Sequence, residues 1–458
     1  MSQPPPPQYG QFMPNGRPRP GAPASAPSSQ PPPRYVDYGN PRAYDTSVRP
    51  ASGLTAARFA PAQIQRPDRA QPQSAWATQT RRVQEVSQVA ASRPTVSIVV
   101  WLAAVALGIS LVLVLGFFFL MFVIESSASP AWWPIAAFCA VPSLFVIAGI
   151  MVLADLWDPQ PLPLLLIAVF WGAAIAAIAS YFINTFNAEL AYAVTGSGEL
   201  AQLVSVVISA PVVEEGAKGL GLLLLLVLAR RYFNGPLDGL IYGSLLGGGF
   251  AFTENIIYYS RQLEAEGALE MFELVVQRGL FGLFGHALYT SATGIIVGFV
   301  VRKWGTAMGF VVFLPALIPG MLMHFGWNFS VVLGLPVLLM YGGQAILVVL
   351  WLILIGVLIW DESRLTRIRL GDYANHGWLT HEEVDMLATW KGRHEGKRWA
   401  RQIGAKAVMK RFIRESADLA SIRQRLLADG AVPRVVSVER HLLQRLSANR
   451  QEMLLHAR

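Results

Sequence analysis

Residues 203–229 read LVSVVISAPVVEEGAKGLGLLLLLVLA, an apolar segment long enough to cross a bilayer as a helix. Glu214, Glu215 and Lys218 stand near its middle. A charged residue at the centre of a span costs about 2.5–3.5 kcal/mol on insertion, whereas each Leu or Val returns only about 0.3–0.6 kcal/mol. The segment therefore predicts a membrane helix whose charges are paired or hydrated inside a bundle.

The rest of the chain supports a membrane protein. Of its 458 residues, 53% are hydrophobic and 14% are charged, against about 25% charged residues in soluble proteins. We predict an all-α, polytopic membrane helical bundle with eight transmembrane helices. The predicted spans lie at about 97–124, 131–154, 162–186, 201–229, 236–259, 277–301, 306–330 and 336–360.

The basic residues predict the orientation of these spans. Connections 230–235 and 302–305 contain Arg or Lys, whereas 187–200 and 331–335 contain neither. Since basic loops stay on the cytoplasmic side, we expect both termini to be cytoplasmic. The formal net charge of +8 lies mainly in the tails and short loops, so it predicts membrane topology rather than a nucleic-acid partner.

Two tails flank the membrane domain. We expect residues 1–95 to be a disordered, Pro-rich cytoplasmic tail, 96–360 to be the eight-span domain and 361–458 to be a basic, helical cytoplasmic tail. Thr380 and Glu383 have the spacing of a capping box that opens a helix in this last segment. Binding of a cytoplasmic partner by the two tails is an open alternative.

The charges at 214–218 share one helix face. Residues three and four positions apart lie on the same side of a helix, so Lys218 can approach both Glu214 and Glu215. One glutamate would suffice for a structural ion pair with Lys218. A second carboxylate in the membrane interior favours a functional site, in which one carboxylate acts as a general base.

Three later spans carry polar residues at overlapping depths. These residues are Glu254, Asn255, His286, Thr290, His324 and Asn328. His286 and His324 are the only histidines in predicted spans, and each is followed at i+4 by a polar side chain. In the predicted topology, all of them and the glutamate pair lie in the middle to outer part of the membrane, so we expect one site open to the outer face.

These motifs resemble the PrsW family of intramembrane proteases, relatives of the CAAX prenyl protease and bacteriocin-processing enzymes. The matching motifs are Glu214-Glu215-x-x-Lys218, Phe250-x-x-x-Glu254-Asn255, His286-x-x-x-Thr290 and His324-x-x-Trp327-Asn328. The resemblance covers roughly 100–360. Gln160 stands where an acidic residue is more usual in the family, and we assign it no catalytic role.

The resemblance implies a function and a set of site residues. The functional positions would be Glu214, Glu215, Glu254, His286 and His324, with Asn328 accessory and Lys218, Asn255, Thr290 and Trp327 supporting. The expected reaction is site-1-type cleavage of a single-pass membrane protein, such as an anti-sigma factor. It would take place near the outer face of the bacterial cell membrane.

Two mechanisms stay open at this point. In both, Glu214 or Glu215 activates water, and we favour Glu215. In the first mechanism His286, His324 and Glu254 hold a Zn²⁺ ion, although the sequence has no HExxH motif. In the second, the histidines and Asn328 form a metal-free oxyanion hole. A proton-coupled transporter and a catalytically inactive membrane scaffold are the alternative functions.

Overall fold

A computed structural model describes residues 132–430 and 432–457, and all regular structure in these ranges is helical. The predicted span 97–124 and tail 1–95 lie outside the described residues. The membrane part contains α1 (Trp132–Ala154), α2 (Leu162–Thr195), α3 (198–228), α4 (Pro236–Ala265), α5 (Ala268–Val276), α6 (Gly285–Trp304), α7 (Thr306–Val332) and α8 (Val337–Asn375). The C-terminal part contains α9 (His381–Leu387), α10 (Trp390–Gln402), α11 (Lys406–Asp429) and α12 (Pro433–His456).

Five segments are long and apolar enough to cross a membrane, and each coincides with a predicted span. They are α1, α2, the segment Ala268–Trp304, α7 and α8. Helices also occupy the predicted spans 201–229 and 236–259, but these helices carry intramembrane charges or many glycines and are not among the five. The multi-pass, all-helical architecture is therefore confirmed for the described residues, and the count of eight stays a prediction.

Helix α4 runs through the middle of the bundle. Every residue from Pro236 to Phe250 is buried, and the helix packs against α1, α2 and α6. The sequence predicts this close approach from glycines repeated every four residues. A Cβ atom added at Gly239 or Gly247 would overlap the backbone carbonyl of Gly294 or His286 on α6. The glycines let α4 place Glu254 next to α6.

We expect Gly239→Ala to destabilise the bundle, because the added methyl group can be accommodated only if the backbone at Gly294 moves. Overpacking of this kind costs about 1–3 kcal/mol or more. Thermal unfolding in detergent measures the effect. Gly356→Ala is the matched control, since a Cβ there meets nothing within 4 Å and alanine is the better helix former. Equal melting temperatures for the two variants would contradict the predicted packing.

The C-terminal helices have their own apolar core and pack on one end of the membrane bundle. The predicted helix start at Thr380 is confirmed, with the capping box to Glu383 present. Helix α8 passes without a break through the predicted domain boundary at 360–361. The boundary therefore falls inside a helix that belongs to both parts.

Polar contacts fix which loops meet the C-terminal helices. Asp429 accepts hydrogen bonds from Arg230 at 2.8 Å and from the backbone N–H of Thr306 at 2.7 Å. Arg393 donates to the carbonyl of Trp157 at 2.6 Å. The connections after α1, α3 and α6 thus share one end of the bundle with the C-terminal helices, as the predicted topology places them, and the two after α3 and α6 are the basic ones. The absolute orientation of that end stays a prediction.

Candidate functional site

The helix that carries the glutamate pair has an irregular turn just before it. Val204–Ser209 is π-helical, with the amide of Ala210 bonded to the carbonyl of Ser205. The next π-type donor for the carbonyl of Val206 would be Pro211, which has no N–H. Asn328 of α7 supplies that donor instead, at 2.8 Å. Asn328 therefore holds the backbone that leads into Glu214.

Glu215 is the centre of a buried charge network. Its Oε1 lies 2.6 Å from the Lys218 ammonium and 3.1 Å from Nδ1 of His324. Its Oε2 accepts a hydrogen bond from Thr290 at 2.8 Å. The side chains of Glu215 and Lys218 are completely buried. Both carboxylate oxygens are therefore engaged, and the expected pairing with Lys218 is made by Glu215.

His286 is held between a cation and an anion. Its Nδ1 lies 3.0 Å from the Lys218 ammonium, and its Nε2 lies 2.8 Å from Oε2 of Glu254. An ammonium group can only donate, so Nδ1 accepts and Nε2 carries the proton that is donated to Glu254. Arg278, at the π-helical turn before α6, binds the same Glu254 oxygen at 2.6 Å.

Glu214 differs from Glu215 in having a free oxygen. Its Oε1 accepts a hydrogen bond from Asn184 of α2 at 3.3 Å. Its Oε2 is buried and has no hydrogen-bond partner, and it lies 3.8 Å from Nε2 of His324. A buried carboxylate oxygen without a partner is costly unless something else binds it. Glu214 thus presents a buried carboxylate oxygen that is free to bind another group.

Three side chains suited to bind zinc converge here. Donor atoms of Glu214, His286 and His324 all lie within 4.8 Å of one another. The sequence prediction named Glu254 as the third ligand, but Glu254 instead pairs with Arg278 and His286. A His2Glu set suits Zn²⁺, and metal-binding histidines commonly donate their other N–H to a carboxylate. Glu215 and Glu254 occupy that orienting position for His324 and His286, so the residues fit a metal ion.

The remaining predicted residues lie around this cluster. Thr290 bonds Glu215, Asn255 accepts a hydrogen bond from Arg278 at 2.9 Å, and Trp327 packs beside Tyr341 at the edge of the core. Gln160 lies elsewhere and bonds Asp238 and Tyr242 near the C-terminal helices.

Sequence reasoning missed three neighbours of the site, Asn184, Arg278 and Tyr289. Tyr289 stacks on His324 with ring centroids 5.4 Å apart. Arg278 could have been found from the sequence, because a base at the end of an apolar span needs an acidic partner at the same depth, and Glu254 is such a partner.

The site lies far from the C-terminal helices. At 1.5 Å per helical residue, Glu254, His286 and His324 stand about 27 Å from the helix ends that meet those helices. Glu214 stands about 21 Å from the end of α3. A hydrocarbon core is about 30 Å thick. The cluster therefore occupies the part of the bundle opposite the C-terminal helices.

Comparison with known proteins supports the resemblance found in the motifs. Residues 160–358 match the profile of the PrsW family intramembrane metalloproteases. Comparisons with curated proteins and with solved structures give no match. The matched range contains every residue of the cluster and the helices that carry it. The family match therefore agrees with the motifs, and residues 160–358 are similar to the PrsW family intramembrane metalloproteases.

Proposed function

We propose that this chain hydrolyses a peptide bond in a single-pass membrane protein near the outer face of the bacterial cell membrane. A membrane-bound anti-sigma factor is the proposed substrate class, and Glu214, His286 and His324 form the reacting centre. The family match supports a membrane-embedded protease. The observation that carries the site assignment is the buried, unpartnered Oε2 of Glu214 beside the two histidines.

The contacts favour Glu214 over Glu215 as the reactive carboxylate. Both oxygens of Glu215 are already held by the Lys218 ammonium and by the Thr290 hydroxyl, so neither oxygen is free to bind a metal or a water. Oε2 of Glu214 can bind a metal or accept a proton from water without breaking an existing hydrogen bond. Glu215 then acts on the reaction by orienting His324.

The other side chains fix the geometry of the centre. Glu254 orients the His286 ring, and Arg278 holds Glu254 in turn. Asn184 fixes one oxygen of Glu214 and leaves the other available. Because these partners lie on α2, α4 and the turn before α6, the centre is preorganised by the fold.

A metal fits this proposal through residues that are already in place. Glu214, His286 and His324 would hold Zn²⁺, which supplies a Lewis acid and lowers the pKa of a bound water. The Lys218 ammonium now contacts the accepting nitrogen of His286 and would have to leave it for that nitrogen to bind the ion.

Reconstitution in proteoliposomes with a panel of tagged single-pass membrane proteins tests this function. We expect wild-type protein to cut at least one of them and to contain bound zinc. His324→Ala should lose both the zinc and at least 99% of the rate, since removing one ligand or one positioned donor costs about 10²-fold or more.

His441→Ala is the matched control, because His441 is an exposed histidine on α12. It should retain full zinc content and full activity. A His324→Ala protein that is folded and cuts at the wild-type rate would overturn the assigned site. Wild-type protein that cuts none of the panel would favour the transporter or scaffold function.

A further inference from the structure

Helix α8 carries a buried side-chain amide whose nitrogen has no hydrogen-bond partner in the fold. Gln344 is 4% exposed, and its Oε1 accepts a hydrogen bond from the hydroxyl of Tyr289 at 3.3 Å. Its Nε2 is buried and has no hydrogen-bond partner. If the amide were flipped, its nitrogen would face the Tyr289 hydroxyl and its oxygen would then lack a hydrogen-bond partner. An unsatisfied amide in a membrane interior is costly, so it needs a reason.

The position of Gln344 connects it to the site. Its partner Tyr289 stacks on His324 and lies 6.1 Å, centroid to centroid, from the His286 ring. Gln344 is also about 12 Å along α8 from Pro336, where α8 begins at the end of the bundle opposite the C-terminal helices. The open amide is thus one side chain away from the proposed reacting centre.

The same part of α8 is accessible to another chain. Most residues from Val337 to Gly343 are exposed or half-buried. A Cβ added at Gly342 or Gly343 would meet nothing within 4 Å. A substrate segment that lies along this surface would be next to Gln344, and it would reach the buried Nε2 by displacing the side chains that cover it.

The chemistry of the substrate identifies what the amide would bind. A transmembrane helix has its carbonyls and amides bonded internally, and hydrolysis requires these bonds to open around the cut. The freed backbone groups then need partners in a medium without water. A side-chain amide with an open donor suits a freed carbonyl oxygen.

We propose that Gln344 is a substrate-binding residue, whose free amide donates a hydrogen bond to the unwound backbone of the substrate's transmembrane segment beside the cut bond. This inference rests on the proposed function. It gives Gln344 a role in recognising an opened helix, with Tyr289 fixing the other end of the amide against the His324 ring.

Gln344→Met tests the inference, since methionine has a similar length and no donor. With the single-pass protein that the wild-type enzyme cuts in the panel above, we expect KM to rise about fivefold to tenfold, as for one lost hydrogen bond. We expect kcat to change by less than about twofold. The melting temperature should stay about the same, because the substitution removes one unpaired buried donor but leaves the Tyr289 hydroxyl without its acceptor.

Trp351→Phe is the matched control. Trp351 donates to Ser291 at 3.0 Å and so makes a fully paired hydrogen bond between α8 and α6, the two helices that Gln344 and Tyr289 join. Loss of this hydrogen bond in Trp351→Phe should lower the melting temperature and leave the KM for the substrate unchanged.

The opposite pattern would overturn the role of Gln344 and leave the proposed peptide-bond hydrolysis intact. Cleavage of the substrate by Trp351→Phe with the wild-type KM shows that the enzyme still hydrolyses it. A Gln344→Met protein with that same KM, or with a melting temperature lowered as in Trp351→Phe, would then show that Gln344 only joins helices.

Discussion

Glu214→Gln is expected to fold normally and to lose peptide-bond hydrolysis by about 10³-fold or more. The amide keeps an oxygen that can accept the hydrogen bond from Asn184. It loses the negative charge, so it binds metal poorly and cannot accept a proton from water. Loss of one electrostatic group in a water-excluded centre costs about 10²–10³-fold in kcat, and loss of the ligand itself adds to this. Initial rates in proteoliposomes measure the effect.

The control for this substitution is Glu189→Gln, which makes the same change at an exposed position on α2. It should cut at the wild-type rate. The melting temperature of Glu214→Gln should equal or exceed that of wild type, because the substitution removes a buried negative charge on a carboxylate whose Oε2 has no hydrogen-bond partner. Loss of cleavage together with loss of folding would contradict a catalytic role for Glu214.

Lys218→Met is expected to destabilise the fold by about 3–5 kcal/mol, because it leaves the completely buried Glu215 without its cation. The ammonium also contacts His286 at 3.0 Å and lies over the Phe250 ring at 4.3 Å. Unfolding in detergent, followed by intrinsic fluorescence, measures the loss. Lys303→Met, at an exposed lysine near the end of α6, should change stability by less than about 0.5 kcal/mol.

A double variant separates pairing from packing. Glu215→Gln combined with Lys218→Met removes both charges and should recover most of the lost stability, since a neutral pair has no uncompensated charge. The sum of the two single effects would then exceed the effect of the double variant. Additive losses would mean that Lys218 stabilises the bundle by its length and not by its charge.

Much of the helical architecture could be predicted from the sequence, because bilayer physics constrains it strongly. Apolar length located the five crossing segments that the structure supports. The four-residue glycine repeat predicted a close neighbour for α4, and α6 is that neighbour. The Thr380 capping box gave the start of α9. Each of these signals is local in sequence, so no tertiary information was needed.

The site was harder to predict, because its partners come from different helices. Helical depth suggested that the glutamate pair, Glu254 and the two histidines share one region, and contacts join them in the structure. Depth does not determine which carboxylate faces which ring. The sequence therefore favoured Glu254 as a ligand and Glu215 as the base, whereas the contacts favour Glu214 in the reacting role. That choice depends on Asn184 and Arg278, which occupy one oxygen of Glu214 and one of Glu254.

The position of the cut bond tests the central claim most directly. Mass spectrometry of the two products released from a single-pass substrate in proteoliposomes gives that position. The proposed site lies opposite the C-terminal helices, so we predict a cut in the outer part of the transmembrane segment, made by wild type and absent with Glu214→Gln. A cut at the cytoplasmic end, or the same products from Glu214→Gln at the wild-type rate, would contradict the account.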